Sequence, residues 1–237
     1  MGKDKSGDNL VVYVDQGEHC FSCGYHIDSP DSVANLKKKV TNRYGIKECG
    51  VVELPFDASE IIREDAMTWL LQYGMTIKEI IRFKMLWSEG LEYLIFPWFN
   101  QHELVFWQGR NFGPTGQKYD TRGDVHNNLS VIHCGPSITR TTGTVVVVED
   151  FISAIKVSRH IDCMPMWGGK LNKINALRLS RYYKKLIVWG DYDKAQQNIS
   201  LSNNYSQYFE KGSKCLLTIE DPKCYNDETI KELVNEN

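Results

Sequence analysis

The sequence has no apolar run long enough to cross a membrane, which takes about 18 residues. Its longest apolar stretches, such as 144–148 and 186–189, fall far short of that length. The N-terminus lacks the apolar core of a secretory signal peptide. Seven cysteines, an odd number in a chain of 237 residues, do not suggest a disulfide framework. We therefore expect a cytoplasmic protein with reduced or metal-bound thiols and no membrane partner.

A strong net charge is also lacking, but the charges are unevenly distributed. The 28 basic and 30 acidic residues give a net charge of −2. Residues 151–190 carry eight Lys and Arg against one acid, Asp162, whereas residues 51–100 (four basic, eight acidic) and 191–237 (five basic, nine acidic) each carry −4. This pattern suits a polyanion held beside a carboxylate cluster, and it equally suits a solvated, lysine-rich helix face.

Local patterns predict two short helices and a hairpin in the first half of the chain. Apolar residues recur at helical spacing over 59–71 and 76–87, and each stretch opens with a Ser or Thr followed by a Glu that could cap it. Residues 93–99 and 104–107 are predicted strands on either side of a short turn, with Arg110 just past the second strand.

The second half alternates predicted strands and helices. A β-branched run at 144–148 precedes helical periodicity at 151–160, and further strands are predicted at 186–189 and 215–219. Such alternation predicts a parallel sheet covered on both faces. The fold class is therefore α/β, and the predicted organisation is a loop-rich N-terminal module (1–28), a mixed α+β subdomain (29–125) and a parallel-sheet βαβ domain (126–237).

Acidic residues follow two of these strands. Glu149 and Asp150 end the first run, and Asp191 and Asp193 follow the second. If the strands are neighbours, their carboxylates meet at one edge of the sheet, where open α/β sheets bind ligands. Hard oxygen ligands favour Mg²⁺ or Mn²⁺. The structural alternative is that each acid caps the helix after it.

Residues 145–154 and 188–195 resemble the TOPRIM domain, the metal-binding fold shared by primases, topoisomerases and some nucleases. The similarity is closest to phage primases, either stand-alone or as the primase half of the helicase-primases of short-tailed phages. Further segments agree in order along most of the chain: 8–13, 19–24, 96–97, 108–112, 117–119, 166–169 and 221–223. The resemblance implies a C-terminal TOPRIM domain after a mixed subdomain.

The resemblance also implies a DNA primase, which makes short RNA primers on a single-stranded DNA template from ribonucleoside triphosphates. The catalytic, Mg²⁺-binding residues would be Glu149, Asp191 and Asp193, acting by two-metal phosphoryl transfer. Nucleotide or template contacts would come from three basic residues, Arg110, Lys118 and Lys194. The sequence has no Gly-x-x-x-x-Gly-Lys-Ser/Thr loop, so the replicative helicase would be a separate protein.

Two positions depart from the family pattern. Asp150 stands where the family usually has Gly, and it could add a ligand, cap the following helix or disturb the metal geometry. Ser153 stands where many relatives carry another acid, and a hydroxyl cannot replace a carboxylate charge. The acidic cluster is therefore thinner on the first strand than the resemblance implies.

Near the N-terminus, Cys20 and Cys23 resemble the second half of the zinc ribbon of such primases. A closed zinc site needs four ligands, and no cysteine precedes Asp8. Either the first pair is lost, the encoded start lies after the ancestral one, or His19, His26 or Cys49 completes the set. A zinc-free remnant is the structural alternative.

Two rival functions stay open. A TOPRIM nuclease would use the same acids to cleave phosphodiesters. A non-catalytic adaptor descended from a primase would bind single-stranded DNA without synthesis. A topoisomerase is disfavoured because the chain is too short for the DNA-gate domains.

Overall fold

The computed structural model describes three short N-terminal strands by their backbone and residues 52–135 and 143–235 in full. The chain divides into two compact units, residues 1–51 and 52–237. In the first unit, β1 (Leu10–Tyr13), β2 (Gly17–Cys20) and β3 (His26–Ile27) form an antiparallel sheet in that order. No helix in the described part of the chain is long and apolar enough to cross a membrane.

The second unit begins with two helices and an antiparallel sheet. Helices α1 (Glu64–Gln72) and α2 (Ile77–Arg82) come first. The sheet then has the order β4-β5-β6-β7. Its strands are β4 (Leu86–Ser88), β5 (Tyr93–Asn100), β6 (Glu103–Asn111) and β7 (Tyr119–Gly123).

The predicted helices exist, but their bounds were wrong. Helix α1 begins at Glu64, because the backbone of Ser59 instead pairs with Trp87. Helix α2 ends at Arg82, and a left-handed residue, Lys84, turns the chain into β4. At its start the predicted cap is confirmed, since Thr76 and Glu79 form a reciprocal capping box.

The hairpin is confirmed and longer than predicted. β5 and β6 pair antiparallel, and the two turn residues, Gln101 and His102, have positive φ angles. Arg110 lies within β6 rather than beyond it, paired with Leu94. β7 was not predicted from the sequence; it extends the sheet from the far side of β6.

The remaining elements form the predicted parallel sheet, in the order β11-β10-β8-β9. Its strands are β8 (Thr144–Val148), β9 (Cys163–Pro165), β10 (Lys185–Asp191) and β11 (Ser213–Thr218). The helices are α3 (Phe151–Ser158), α4 (Lys173–Ser180), α5 (Ala195–Ser206) and α6 (Asp227–Asn235), with 3-10 turns at Tyr192–Lys194 and Pro222–Cys224. The short strand β9 was not predicted.

Both faces of the parallel sheet are covered, as the sequence predicted. Val145 and Val147 of β8 belong to a core with α4, while Val146 and Val148 belong to the core on the opposite face, which includes residues of α3 and α6. The second core continues into the antiparallel sheet, where Phe96 lies 5.5 Å from Phe151 by ring centroids. One core therefore joins the two sheets of this unit; the predicted boundary at 125/126 stays a prediction.

Candidate active site at the strand ends

The acids predicted for catalysis lie at one edge of the parallel sheet. β8 and β10 are parallel neighbours in a register that pairs Val147 with Val188. Glu149 comes two residues after Val147, and Asp191 comes three residues after Val188. The two carboxylates therefore leave the sheet at the same edge and at nearly the same level.

Glu149 forms an ion pair with Lys194. The Lys194 Nζ donates to both carboxylate oxygens of Glu149, at 2.6 and 2.5 Å. The Lys194 side chain is 45% exposed and that of Glu149 is 33% exposed, so we call this contact the exposed pair. Burial lowers the pKa of Lys194, but its hydrogen bonds to Glu149 and the charges of Asp191 and Asp221 outweigh burial and raise it.

A second lysine lies among carboxylates at the same edge. Lys223 donates to Asp150 Oδ2 at 2.9 Å and also to Asp221. The Lys223 and Asp150 side chains are only 14% and 16% exposed, and that of Asp221 is 30% exposed. We call Asp150, Lys223 and Asp221 the buried triad, after the burial of the lysine that joins the two acids. Burial lowers the pKa of Lys223, but the negative charges of Asp150 and Asp221 outweigh it and raise that pKa well above its usual value.

Asp150 also caps helix α3. Its Oδ1 accepts the backbone N–H of Ser153 at 3.0 Å, and its Oδ2 accepts the Ser153 hydroxyl at 2.8 Å. Of the three roles left open for Asp150, the structure shows the cap. The roles of Lys223 and Asp221 were missed from the sequence, where segment 221–223 served only as a point of resemblance.

Asp191 and Asp193 differ in their surroundings. Asp191 Oδ1 is buried and has no hydrogen-bond partner among the described residues. Asp193 lies in the 3-10 turn that follows β10 and is exposed. The residue before Asp191, Gly190, packs directly under the Asn198 side chain, and a Cβ there would overlap that amide. Position 190, directly before Asp191 at the end of β10, therefore favours glycine.

The donor chemistry at this edge suits a hard divalent cation. Both carboxylate oxygens of Glu149 accept hydrogen bonds from the Lys194 ammonium. The buried Asp191 Oδ1 accepts no hydrogen bond from the described residues. Within residues 52–135 and 143–235, however, no three His, Cys, Asp or Glu side chains converge closely enough to hold an ion. The ammonium of Lys194 stands against the Glu149 carboxylate, so the acids are arranged around a lysine.

Arg110 is held in a cage of aromatic rings. Its guanidinium lies 4.2 Å from the ring centroid of Trp69, with Phe112 and Tyr119 at 5.5 and 5.6 Å. One guanidinium nitrogen donates to the Tyr119 hydroxyl at 3.0 Å, while Nε is buried without a partner in the described part of the chain.

The cage lies near the buried triad. Burial raises the pKa of Tyr119 and the negative charge of Asp150 raises it further, whereas the positive charges of Arg110 and Lys223 partly oppose this shift. Lys223 Nζ also lies 5.7 Å from the ring of Tyr73, which meets Trp69 edge-on. Lys118 is exposed just before β7, with its Nζ 5.8 Å from the Tyr119 ring.

The basic stretch 151–190 is only partly available to a polyanion. Lys156 is buried and donates to the backbone carbonyls of Lys223 and Tyr225. Arg159 ties α3 to Glu79 and Asp227. Lys156 and Arg159 therefore hold α3 against neighbouring segments and are engaged within the fold. Phe106 and Trp107, which are close to Arg110 in the sequence, are buried core residues.

A cavity of about 720 Å³ opens beside the exposed pair. Glu149, Lys194 and Lys170 line it together with amide side chains of α5 such as Gln197 and Asn204. The predicted zinc ligands belong to the first unit: Cys20 ends β2, of which only the backbone is described, and Cys23 lies outside the described residues. Backbone pairing places His19 opposite His26.

Comparison of the structure with solved proteins now identifies the fold. The chain is similar to the Escherichia coli primase catalytic core (14% identity, 72% of this chain and 71% of that one, TM-score 0.56). It is also similar to the Aquifex aeolicus primase zinc-binding and RNA polymerase domains (15%, 96% and 75%, 0.62) and to the DnaG catalytic core (13%, 85% and 78%, 0.54). No protein-family model and no curated protein matches the sequence.

The fold is that of a primase catalytic core. The predicted fold class is thereby confirmed, with the TOPRIM parallel sheet carrying Glu149 and Asp191 at its edge. At 13–15% identity the similarity reaches the fold and no further. The roles of individual residues therefore depend on the geometry of the site itself.

Proposed function

We propose that this protein is a DNA primase, a nucleotidyltransferase that joins ribonucleotides on a single-stranded DNA template. The observation that carries the proposal is the placement of Glu149 and Asp191 at the ends of adjacent parallel strands, with a buried Asp191 oxygen lacking a partner in the described chain. The primase-like fold supports the same conclusion. The phage relationship and a separate helicase partner rest on the sequence resemblance.

Glu149, Asp191 and Asp193 would hold Mg²⁺ or Mn²⁺. Bound there, the metal would lower the pKa of the primer 3′-hydroxyl and neutralise the triphosphate of the incoming nucleotide. The buried Asp191 oxygen supplies a carboxylate that needs no hydrogen bond broken before it binds a cation. The turn after β10 brings Asp193 to the same edge of the sheet, on a segment exposed to an approaching nucleotide.

The basic residues would compensate the charge of the phosphates. Arg110 is held rigidly by three rings and donates to Tyr119, so its position changes little when an anion binds. Lys118 is exposed in the loop just before β7, where its side chain would follow a phosphate. Lys194 lies at the acidic edge itself. Zinc at Cys20 and Cys23 stays a prediction outside the described side chains.

Incubation of the full-length protein with single-stranded DNA, Mg²⁺ and labelled ribonucleoside triphosphates tests the proposal. Short RNA products that depend on the template are expected. Shortened DNA without RNA would instead assign a nuclease, and DNA binding without either product would assign an adaptor. In the adaptor case, binding would survive replacement of Asp191 and Asp193 by Ala.

A further inference from the structure

The exposed pair has the features of an exchangeable contact. Lys194 Nζ sits at hydrogen-bond distance from both oxygens of Glu149, a position that a cation coordinated by this carboxylate would also need. The Lys194 ammonium cannot occupy this position at the same time as a metal ion. A lysine and a divalent cation must therefore compete for Glu149.

The energetics favour exchange. Ion pairs between partly exposed side chains contribute little to stability, because water screens them and both side chains lose rotamer entropy. Lys194 is 45% exposed and lines the adjacent cavity, so a released ammonium has open space beside it to occupy. Divalent charge on two or more carboxylates outweighs one ammonium.

The buried triad sets the contrast. Lys223 is 14% exposed and lies between two carboxylates. Its own backbone carbonyl and that of Tyr225 accept hydrogen bonds from the buried Lys156 ammonium. Removing one partner of such a buried ion pair leaves an uncompensated charge in poorly solvated surroundings, which is strongly destabilising. Lys223 is therefore fixed, whereas Lys194 can leave.

We propose that Lys194 is a displaceable counter-ion that keeps the Glu149 carboxylate in place before metal binds and yields it to the incoming divalent cation. Lys194 thereby sets the metal affinity of the site. It is a positioning residue, acting through Glu149. The inference rests on the metal role given to Glu149 and Asp191 under the proposed function.

Calorimetric titration of the full-length chain with Mn²⁺ alone tests the inference. Lys194→Gln removes the competing charge and should tighten Mn²⁺ binding roughly fivefold to tenfold. Lys194→Arg keeps the charge and should leave the affinity at or below that of the parent. Lys184→Gln removes an equivalent surface charge, paired with Glu210 at the opposite end of β10, and should change the affinity less than about twofold.

The outcomes separate this inference from the proposed function. Unchanged or weaker Mn²⁺ binding by Lys194→Gln, in a protein whose Asp191→Asn variant has lost that binding, overturns the counter-ion role and leaves the primase proposal standing. If Asp191→Asn binds Mn²⁺ like the parent and Lys194→Gln has no effect, the metal site is wrong and both proposals fail.

Discussion

The exposed pair and the buried triad use the same chemistry at the same edge of one sheet, yet they differ in what they can do. Each joins a lysine to the carboxylates that follow a strand, but Lys194 is 45% exposed and Lys223 only 14%. Breaking an exposed ion pair changes the stability of a protein little, whereas breaking a buried one is strongly destabilising. The comparison teaches that the burial of the lysine, more than the charges it meets, separates the exchangeable contact from the structural one.

Lys223→Met should have the largest effect on stability. It leaves Asp150 and Asp221 facing each other without a cation, and breaking a buried pair in this way costs about 3 kcal/mol or more. Urea unfolding followed by circular dichroism measures the loss. A change below about 1 kcal/mol would mean that the triad is no more structural than the exposed pair.

Asp150→Asn should have an intermediate effect, because it separates the helix cap from the ion pair. Asn caps helices about as well as Asp, so the Ser153 contact survives while one of the two charges facing Lys223 is lost. We expect a loss of about 1–2 kcal/mol in the same unfolding experiment. Asp150→Ala, which removes both contacts, is the matched comparison and should lose more; equal losses would show that the ion pair contributes nothing.

Lys194→Gln should have the smallest effect on stability, within about 0.5–1 kcal/mol of the parent, because the exposed pair is solvent-screened. The thermal midpoint and the urea midpoint should both stay close to those of Lys184→Gln, which breaks another exposed pair. A loss as large as that of Lys223→Met would erase the distinction between the two contacts.

Local patterns predicted the elements that local interactions decide. The capping box at Thr76, the hairpin around Gln101 and His102 and the β-branched strand at 144–148 all form as expected. β9 was missed because three residues carry no periodic signal, and it forms by pairing with β8. Helix α1 starts later than its pattern because Ser59 pairs with Trp87 instead.

In the candidate site, too, features that depend on local sequence could be predicted and contacts between distant residues could not. The acids at 149 and 191 could be predicted from their places after buried strands, since adjacent parallel strands end at one edge. Their lysine partners could not. Lys223 contacts Asp150 across 73 residues, and Lys194 contacts Glu149 across 45, so only the folded chain brings them together. The aromatic cage around Arg110 likewise draws its rings from α1, from β7 and from Phe112, the residue that follows β6.

Template-dependent RNA synthesis by the parent and by Asp191→Asn, compared side by side in Mg²⁺, tests the central claim most directly. The substitution keeps the shape of the side chain and removes its charge, so the fold should persist while the metal loses a ligand. The account predicts RNA synthesis by the parent and a loss of about 100-fold or more in the variant. RNA made by Asp191→Asn at the parent rate would contradict it.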